Sequence, residues 1–304
     1  MSVKVVITDC LMPDTGIERS VLSEIGADLV RASCKTPSEV LAVARDADAL
    51  MVQWAPITAD VVAGLHRCRI ISRYGIGLDM IDVAAAEARG IRVVANTEYC
   101  IREVAEHALA LILACARKLG PATAAIRTGN WNKRSIMKPT AMLSEQTLGI
   151  VGYGRIGRLL AALARPLVKR VLVFDPLVGG IPELVPFEEL LFTSDFVSLH
   201  CPLNNSTRWL FDAAALGKMK ASAWLINTSR GALIKEADLM EALRGSVIGG
   251  AALDVFDTEP LPPGHPLLQL PNVIATPHTA WYSDRAYHLL QENTARAVVD
   301  YLKQ

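Results

Sequence analysis

The segment that most constrains the fold is a glycine-rich turn between an apolar strand and a helix. Residues 147–151 are apolar and β-branched, which predicts a buried strand. Glycines follow with GxGxxG spacing at Gly152, Gly154 and Gly157, and 158–163 is rich in helix-forming residues. In this arrangement the first glycine allows a tight turn, the second lets a diphosphate approach the backbone, and the third lets the helix pack on the strand. The segment predicts a βαβ unit that binds a dinucleotide.

A carboxylate lies where such a unit needs one. The next predicted strand, 171–174, ends on Asp175, eighteen residues beyond Gly157. An acid at this point accepts hydrogen bonds from the adenosine ribose and repels a 2′-phosphate, so NAD is expected rather than NADP. The alternative is an ordinary glycine turn followed by a surface aspartate. The candidate cofactor contacts of the turn are Gly152, Tyr153, Gly154, Arg155, Ile156 and Gly157.

The composition narrows the class of protein. The 304 residues suggest about two domains, and 31 basic against 31 acidic residues leave no net charge. We therefore expect neither a nucleic-acid nor a membrane partner. Six scattered cysteines without a CxxC pair predict free thiols in the cytoplasm and no metal site. His66, His107 and His288 are interpreted as surface or packing residues.

Short apolar segments alternate with helical ones along the whole chain, which predicts an α/β fold with parallel sheets. Strands are expected at 4–8, 28–31, 49–53, 70–73 and 92–95, and then at 147–151, 171–174, 196–200, 223–227, 248–253 and 273–276. A long helix over 101–118, stopped by Gly120-Pro121, is a natural connector. A last helix over 283–302 is expected to cross back onto the first sheet. The predicted domains are 1–98 with 279–304, and 99–278.

Three charged residues come just after predicted strands of the second sheet, where open α/β sheets bind ligands. They are Arg230, Glu259 and His278. A histidine titrates near neutral pH, a carboxylate can hold its ring, and a guanidinium can grip a substrate carboxylate in a fork. This combination is typical of reversible oxidation of a 2-hydroxy acid. From the residues alone, each could also be an ordinary surface, loop or turn residue.

Several segments carry a family resemblance. Asn227–Gly231, Ala252–Pro260 and Thr276–Trp281 resemble the signature segments of the D-isomer-specific 2-hydroxyacid dehydrogenases. The glycine turn, Ser72–Asp82 and Val104–His107 do so too, in the expected order over essentially the whole chain. The resemblance implies two Rossmann-like, doubly wound parallel-sheet domains with the site in an interdomain cleft.

The same resemblance implies roles for individual residues. His278 would be the acid/base, Glu259 its partner and Arg230 the substrate-carboxylate and carbonyl ligand. Asp254, which is grouped with the cofactor-binding positions, would support the geometry of the active site or tune the pH dependence of the activity. Further implied cofactor positions are His200, Cys201, Pro202, Thr207, Asn227, Thr228 and Ser229. His200 also ends a strand, but no motif glutamate accompanies it, so His278 is favoured as the catalyst.

Closer matches at Arg73–Gly77 and Trp281–Ser283 are similar to the branch with the C-terminal-binding proteins and phosphoglycerate dehydrogenase-like enzymes. By that resemblance, Arg73 and the amides around Gly75, Ile76 and Gly77 would bind the substrate carboxylate. Trp281 would wall the pocket or pack beneath the last helix, and Tyr74 is a weaker candidate for the same wall.

The leading hypothesis is an NAD-dependent oxidoreductase that interconverts a small 2-keto acid and the D-2-hydroxy acid. One alternative is an NAD(H)-responsive binding protein resembling the corepressors, with weak catalysis. Another is an enzyme that acts on a phosphorylated substrate such as 3-phosphoglycerate. The resemblance also implies a homodimer around the 101–118 helix and Gly129–Trp131, with Trp131 either an interface anchor or a core residue.

Overall fold

The computed structural model describes residues 2–132, 137 and 140–304. Its chain divides into two compact units, Met1–Cys100 with Ser283–Gln304, and Ile101–Tyr282. These bounds differ by two and four residues from the sequence-based domain limits at 98 and 278, which stay a prediction. Both units contain a parallel sheet with helices, so the α/β class is confirmed.

The first unit contains a five-stranded sheet. Its strands are β1 (Lys4–Ile7), β2 (Asp28–Arg31), β3 (Ala49–Val52), β4 (Ile70–Arg73) and β5 (Arg92–Ala95), in the order β2-β1-β3-β4-β5. Every pairing is parallel. All residues of β3 and β4 are buried, because helices cover both faces of such a sheet and its central strands need apolar residues on both sides. This is the strand order known from flavodoxin.

The helices of the first unit are α1 (Gly16–Leu22), α2 (Pro37–Ala44), α3 (Ala59–Gly64), α4 (Val83–Ala88) and, from the end of the chain, α11 (Asp284–Leu302). The start of α2 is fixed locally, since Thr36 and Glu39 form a capping box and Pro37 occupies the first turn. Ser283 caps α11 by accepting a hydrogen bond from the Ala286 amide. The return of the last helix to the first unit is confirmed.

The second unit contains six parallel strands. They are β6 (Thr147–Val151), β7 (Arg170–Phe174), β8 (Phe196–Leu199), β9 (Trp224–Asn227), β10 (Gly250–Leu253) and β11 (Val273–Ala275), in the order β11-β10-β9-β8-β6-β7. A single bridge between Val173 and Leu184 extends the edge beside β7. The chain changes direction across the sheet between β7 and β8, so the switch point lies between the neighbouring strands β6 and β8. In such sheets ligands bind at the carboxyl ends beside this point.

The second unit contains, with full bounds among its described residues, the helices α5 (Ile101–Ala116), α6 (Leu119–Arg127), α7 (Arg155–Ala164), α8 (Phe187–Thr193), α9 (Ala213–Gly217) and α10 (Glu236–Arg244). The expected single helix over 101–118 is wrong at its end. Lys118, at φ 51°, breaks it, and Gly120 and Pro121 stand inside the first turn of α6 instead of stopping α5. Proline fits there because first-turn amides have no partner within the helix.

Among the described residues, no single helix is long and apolar enough to cross a membrane. Taken together, α5 and α6 would reach that length and apolarity, but they are bent by 61°.

Candidate active site

The candidate residues of the second unit lie at one edge of its sheet. Each comes within a few residues of the carboxyl end of a strand: Gly152 after β6, Asp175 after β7, His200 after β8, Arg230 after β9, Asp254 after β10 and His278 after β11. Because the strands are parallel and hydrogen-bonded in one sheet, their carboxyl ends share an edge. The topology therefore gathers residues that are far apart in sequence.

The glycine turn has the geometry of a diphosphate cradle. Gly152 has φ 95°, and a Cβ there would lie 2.4 Å from the Cys201 amide nitrogen. A Cβ on Gly157 would lie 2.2 Å from the Gly152 carbonyl oxygen. At Gly154, the N-cap of α7, the Cβ position lies within 4 Å of no described atom beyond the glycine and its two chain neighbours. Two glycines thus permit close packing, while the third leaves the start of a ten-residue helix open to an anion.

Asp175 completes this cofactor site. Its carboxylate accepts hydrogen bonds from the backbone amides of Tyr153 (2.7 Å) and Leu177 (2.8 Å). Both bonds hold the carboxylate beside the glycine turn at the end of β7, so the residues fit the adenosine half of NAD. Tyr153 is a correction to the sequence-based list, because its ring is buried in the core beneath α5 and α7 and only its backbone faces the turn. Arg155 is exposed and Ile156 is half-buried.

The other cofactor candidates form the turns after β8 and β9. The Thr207 hydroxyl donates to the Pro202 carbonyl at 2.7 Å, and the Cys201 backbone packs against Gly152. Burial raises the pKa of the Cys201 thiol to about 11, which keeps it protonated. These contacts shape the loop opposite the glycine turn.

In the turn after β9, the Asn227 amide donates to the Arg230 carbonyl at 2.8 Å, and its oxygen accepts from the Ser229 amide. The Ser229 hydroxyl donates to the Leu199 carbonyl at 2.8 Å. Thr228 is buried, and its hydroxyl has no partner in the described part of the chain. Asn227 and Ser229 therefore act on the shape of the turn that presents Arg230.

His278 and Glu259, the residues predicted as acid/base and partner, lie in contact. His278 Nδ1 lies 2.6 Å from Glu259 Oε2, and Glu259 Oε1 accepts a hydrogen bond from the Phe256 amide at 2.9 Å. Burial alone would raise the pKa of Glu259. The hydrogen bond and charge of His278 outweigh this effect, with smaller help from the Phe256 amide and the Arg230 charge, so the pKa of Glu259 lies below its ordinary value. With Nδ1 facing a carboxylate, Nε2 is the ring atom that can exchange a proton with a substrate.

Arg230 belongs to the same group. Its charge acts on Glu259, and its Nη1 donates to the Ser229 carbonyl at 2.7 Å. A Cβ on Gly231 would lie 1.9 Å from the Phe256 carbonyl carbon, so the Arg230 turn and the Glu259 loop touch backbone to backbone. The structure therefore brings together all three residues singled out at the strand ends.

Asp254 holds the loop that carries His278. Its side chain is fully buried and accepts from the Thr276 hydroxyl (2.6 Å) and from the amides of Thr279 (3.0 Å) and Ala280 (2.8 Å). Its carbonyl accepts from the His278 amide at 2.8 Å. His278 has φ 53°, an uncommon conformation for a residue with a side chain. Placing Asp254 among the cofactor contacts is corrected here, since its carboxylate is turned into this loop.

His200 has a different environment from His278. Its Nε2 lies 2.8 Å from the Ser198 hydroxyl, and Nδ1 is buried without a partner among the described residues. Burial lowers the pKa of His200 to about 4, so the ring is neutral near pH 7. A neutral buried imidazole is a poor proton donor, which favours His278 over His200.

The substrate candidates in the first unit lie at the carboxyl end of β4. Arg73 is only 4% exposed, and its guanidinium carbon lies 5.2 Å from the centre of the Trp54 ring. Gly75 has φ 134°, and a Cβ there would overlap Arg73 Nη1 at 1.5 Å. The Gly75 amide donates to the Arg73 carbonyl. The amides of Ile76 and Gly77 are therefore the candidates in this turn for donating hydrogen bonds to a substrate carboxylate.

Tyr74 is another correction. It is buried, and its hydroxyl donates to Glu18 Oε1 at 2.9 Å in the core of the first unit, so it does not wall a pocket. In the second unit, Trp281 is half-buried and stacks edge-on against Tyr282 at 5.5 Å.

Sequence reasoning gave no role to Trp54, Gly231 and His107. Trp54 follows β3 and could have been found from its place at a strand end. Gly231 ends the Asn227–Gly231 segment, but its contact with Phe256 is formed only in the tertiary structure. His107 was interpreted as a surface or packing residue, whereas its Nε2 lies 3.1 Å from the Thr276 hydroxyl.

Comparisons with known proteins show which family the chain is similar to. Residues 109–280 match the family model of the D-isomer specific 2-hydroxyacid dehydrogenase, NAD binding domain. Over 263 residues the chain is 39% identical to a glycerate dehydrogenase of Methylorubrum extorquens, covering 84% of this chain and 83% of that protein. It is 41% identical over 261 residues to a D-3-phosphoglycerate dehydrogenase of Mycobacterium leprae, covering 82% of this chain but only 49% of that protein.

Among solved structures, the fold is similar to a D-lactate dehydrogenase of Aquifex aeolicus in complex with NAD and lactic acid. The TM-score is 0.88 at 26% identity, and the match covers 98% of this chain and 95% of that one.

Proposed function

The chain belongs to the D-isomer specific 2-hydroxyacid dehydrogenases, and on this premise we propose that it reduces a small 2-keto acid to the D-2-hydroxy acid with NADH. The observation that carries the proposal is the 2.6 Å pair of His278 and Glu259, next to Arg230 and on the same sheet edge as the glycine turn. It places a proton donor, its carboxylate partner and a guanidinium beside a site that fits NAD.

Each residue then has a definite part in the reaction. NADH, when bound, supplies the hydride. His278 holds the proton at Nε2 and gives it to the carbonyl oxygen, while Glu259 keeps the ring oriented and stabilises its charge. Arg230 grips the substrate carboxylate and polarises the carbonyl group. Asp254 and Asn227 shape the two loops that present these side chains.

In the first unit, we assign the substrate carboxylate to the Ile76 and Gly77 amides and to Arg73. This assignment is supported by the position of Arg73 and the two glycines at the carboxyl end of β4, where a parallel sheet receives ligands. In the second unit, Trp281 is assigned to the wall of the substrate site because it follows His278 by three residues.

The surroundings of Arg73 favour an apolar substrate side chain. Leu11, Trp54 and Ile76 follow β1, β3 and β4 at this sheet edge, and all three are exposed. The Leu11 amide is held by the Gln53 side chain at 2.8 Å, which fixes its loop near Trp54. Exposed apolar groups beside a buried guanidinium suit a 2-keto acid with an aliphatic chain better than a phosphorylated one, which needs several basic groups. The two named enzyme relatives make glycerate and 3-phosphoglycerate the competing substrates.

The test is NADH oxidation with a panel of 2-keto acids. We expect larger kcat/KM values for 2-ketobutyrate and 2-ketoisocaproate than for hydroxypyruvate and phosphohydroxypyruvate. His278→Gln should lower kcat by roughly a hundred- to ten-thousand-fold, since general acid catalysis contributes on the order of 10²–10⁴. NADH binding, followed by fluorescence, should stay within two-fold. His66→Gln, an exposed histidine of the first unit, is the matched control.

Each contrary result has a definite meaning. A preference for phosphohydroxypyruvate would reject the apolar side-chain assignment, and full turnover by His278→Gln would reject the proton donor. NADH binding without turnover on any keto acid would favour the corepressor-like alternative.

We also propose a homodimer in the cytoplasm. Exposed apolar side chains cluster in sequence on and after α6, at Leu119, Ile126, Trp131 and Met142. Patches of this kind mark protein interfaces. All six cysteines are free thiols, which suits a reducing compartment.

A further inference from the structure

His107 stands behind the loop that carries His278, on a different element. It belongs to α5, and its side chain is about three-quarters buried. Its Nε2 lies 3.1 Å from the Thr276 hydroxyl oxygen and 3.7 Å from Asp254 Oδ1. Only the shorter distance is a hydrogen bond. The direct partner of His107 in this cluster is therefore Thr276, not the carboxylate.

The direction of that hydrogen bond follows from the number of protons available. Thr276 has one hydroxyl proton, and its oxygen lies 2.6 Å from Asp254 Oδ1. An ionised carboxylate only accepts, so at this distance the proton must lie between Thr276 and Asp254. The Thr276 oxygen then receives the proton of His107 Nε2. This order, from His107 to Thr276 to Asp254, requires the Nε2–H form of the His107 ring.

The far end of this chain of hydrogen bonds is the His278 loop. Asp254 Oδ1 also accepts from the Thr279 amide, and Oδ2 accepts from the Ala280 amide. His278 lies between these anchors and Thr276, in the uncommon φ 53° conformation. Such a conformation persists only where the surroundings hold it. The set of bonds around Asp254 therefore holds the backbone from which the His278 ring projects towards Glu259.

We propose that His107 is a positioning residue for proton transfer, acting through Thr276 and Asp254 on the backbone that presents His278. The proposal rests on His278 being the proton donor of the proposed function. His107 does not touch substrate or cofactor in this scheme. It supplies one N–H that keeps the Thr276 hydroxyl directed at Asp254, and it does so from α5, outside the strand ends that carry the other residues.

The test compares three variants of His107 and its partner. His107→Leu removes the donor and should lower kcat roughly ten-fold, because small misplacements of a catalytic group cost one to two orders of magnitude. KM for the keto acid and NADH affinity should stay within two-fold. His107→Gln, whose amide nitrogen can reach the Nε2 position, should restore most of kcat. In a Thr276→Val background, His107→Leu should have no further effect on kcat.

A second measurement is independent of turnover. The ¹⁵N shifts of the His107 ring in labelled protein, assigned by their loss in His107→Gln, should report a proton on Nε2. A ring protonated only on Nδ1 would overturn the proposal even if the Leu variant fails to fold. His288→Leu, an exposed histidine paired with Glu292 on α11, is the control and should keep wild-type kcat.

The outcomes distinguish the positioning role of His107 from the proton-donor role of His278. Unchanged kcat in His107→Leu, or equal effects of that substitution with and without Thr276, would reject the positioning role alone. Full activity in His278→Gln would reject the donor assignment, while the ring-proton measurement on His107 would keep its meaning.

Discussion

At the residue scale, two histidines of one sheet edge differ through their surroundings. His200 and His278 both follow strands of the second unit. The His278 ring faces Glu259, whose carboxylate stabilises a positive charge. The His200 ring is enclosed beside Ser198, and burial lowers its pKa to about 4. The same side chain is therefore suited to proton transfer in one place and inert in the other.

The low pKa of His200 makes a prediction for stability. The unfolded chain takes up a proton on this residue below about pH 6.5, whereas the folded protein keeps it neutral until about pH 4. The contribution of neutral His200 to the unfolding free energy is therefore fully present above about pH 6.5. It is lost as the pH falls towards 4. Between pH 7 and pH 5, the unfolding free energy of the wild-type protein should therefore fall by about 2 kcal/mol more than that of His200→Asn. Chemical unfolding of both proteins at the two pH values measures the difference.

The matched control for this measurement is His66→Asn, because His66 is exposed beside Asp46. It should lose as much stability as wild type between the two pH values. Equal losses in wild type and His200→Asn would mean that folding does not keep His200 neutral.

At the element scale, the Arg230 turn and the Glu259 loop depend on one close backbone approach. A 3-10 helix over Gly231–Leu233 follows Arg230, and the Gly231 Cα packs against the backbone of Phe256 and Asp257. Arg230 directly precedes Gly231, and Glu259 follows Phe256 by three residues, so each loop carries one of the two charged side chains. Any side chain at 231 must push the two loops apart.

Gly231→Ala should therefore affect stability and catalysis together. The added methyl group would lie 1.9–2.4 Å from backbone atoms, and overpacking of this kind costs about 1–3 kcal/mol. We expect a lower unfolding free energy and a kcat reduced at least ten-fold. Urea unfolding and steady-state kinetics measure the two effects. Gly217→Ala is the control, since no described atom lies within 4 Å of its Cβ position. Wild-type kcat in Gly231→Ala would show that the loops can separate without harm.

The limits of the helices and strands also show which structural features the sequence can predict. The limits of β4, β5 and β6 were predicted to the residue, because a short run of apolar and β-branched residues is a local signal. The end of α5 was not, because the break at Lys118 depends on a left-handed backbone that a lysine does not signal. The corrections at Tyr153 and Tyr74 have a related cause, since a motif position says where the backbone lies but not which way a large ring packs.

At the scale of the whole molecule, the exposed apolar residues on and after α6 predict an oligomer. Ile126→Asp places a charge among these residues and should convert the proposed dimer into a monomer, because a buried unpaired charge is costly. Sedimentation velocity measures the change. Phe192→Asp, at an exposed apolar residue of α8, is the control and should leave the mass unchanged. A wild-type monomer, or a dimer in both variants, would contradict the prediction.

The sequence by itself determined the fold class, and it predicted the cofactor site and the roles of Arg230, Glu259 and His278. The fold class and the cofactor site follow from local signals, above all a strand that enters a glycine turn. The three charged residues follow strands whose carboxyl ends must share an edge, and the family resemblance supplied their roles. The tertiary structure alone decided the hydrogen bonds of Asp254, the contact of Gly231 with Phe256, and the place of His107 behind Thr276. The physical reason is that these contacts join residues 22 to 169 positions apart, and no local preference records which side chains meet once the strands are paired.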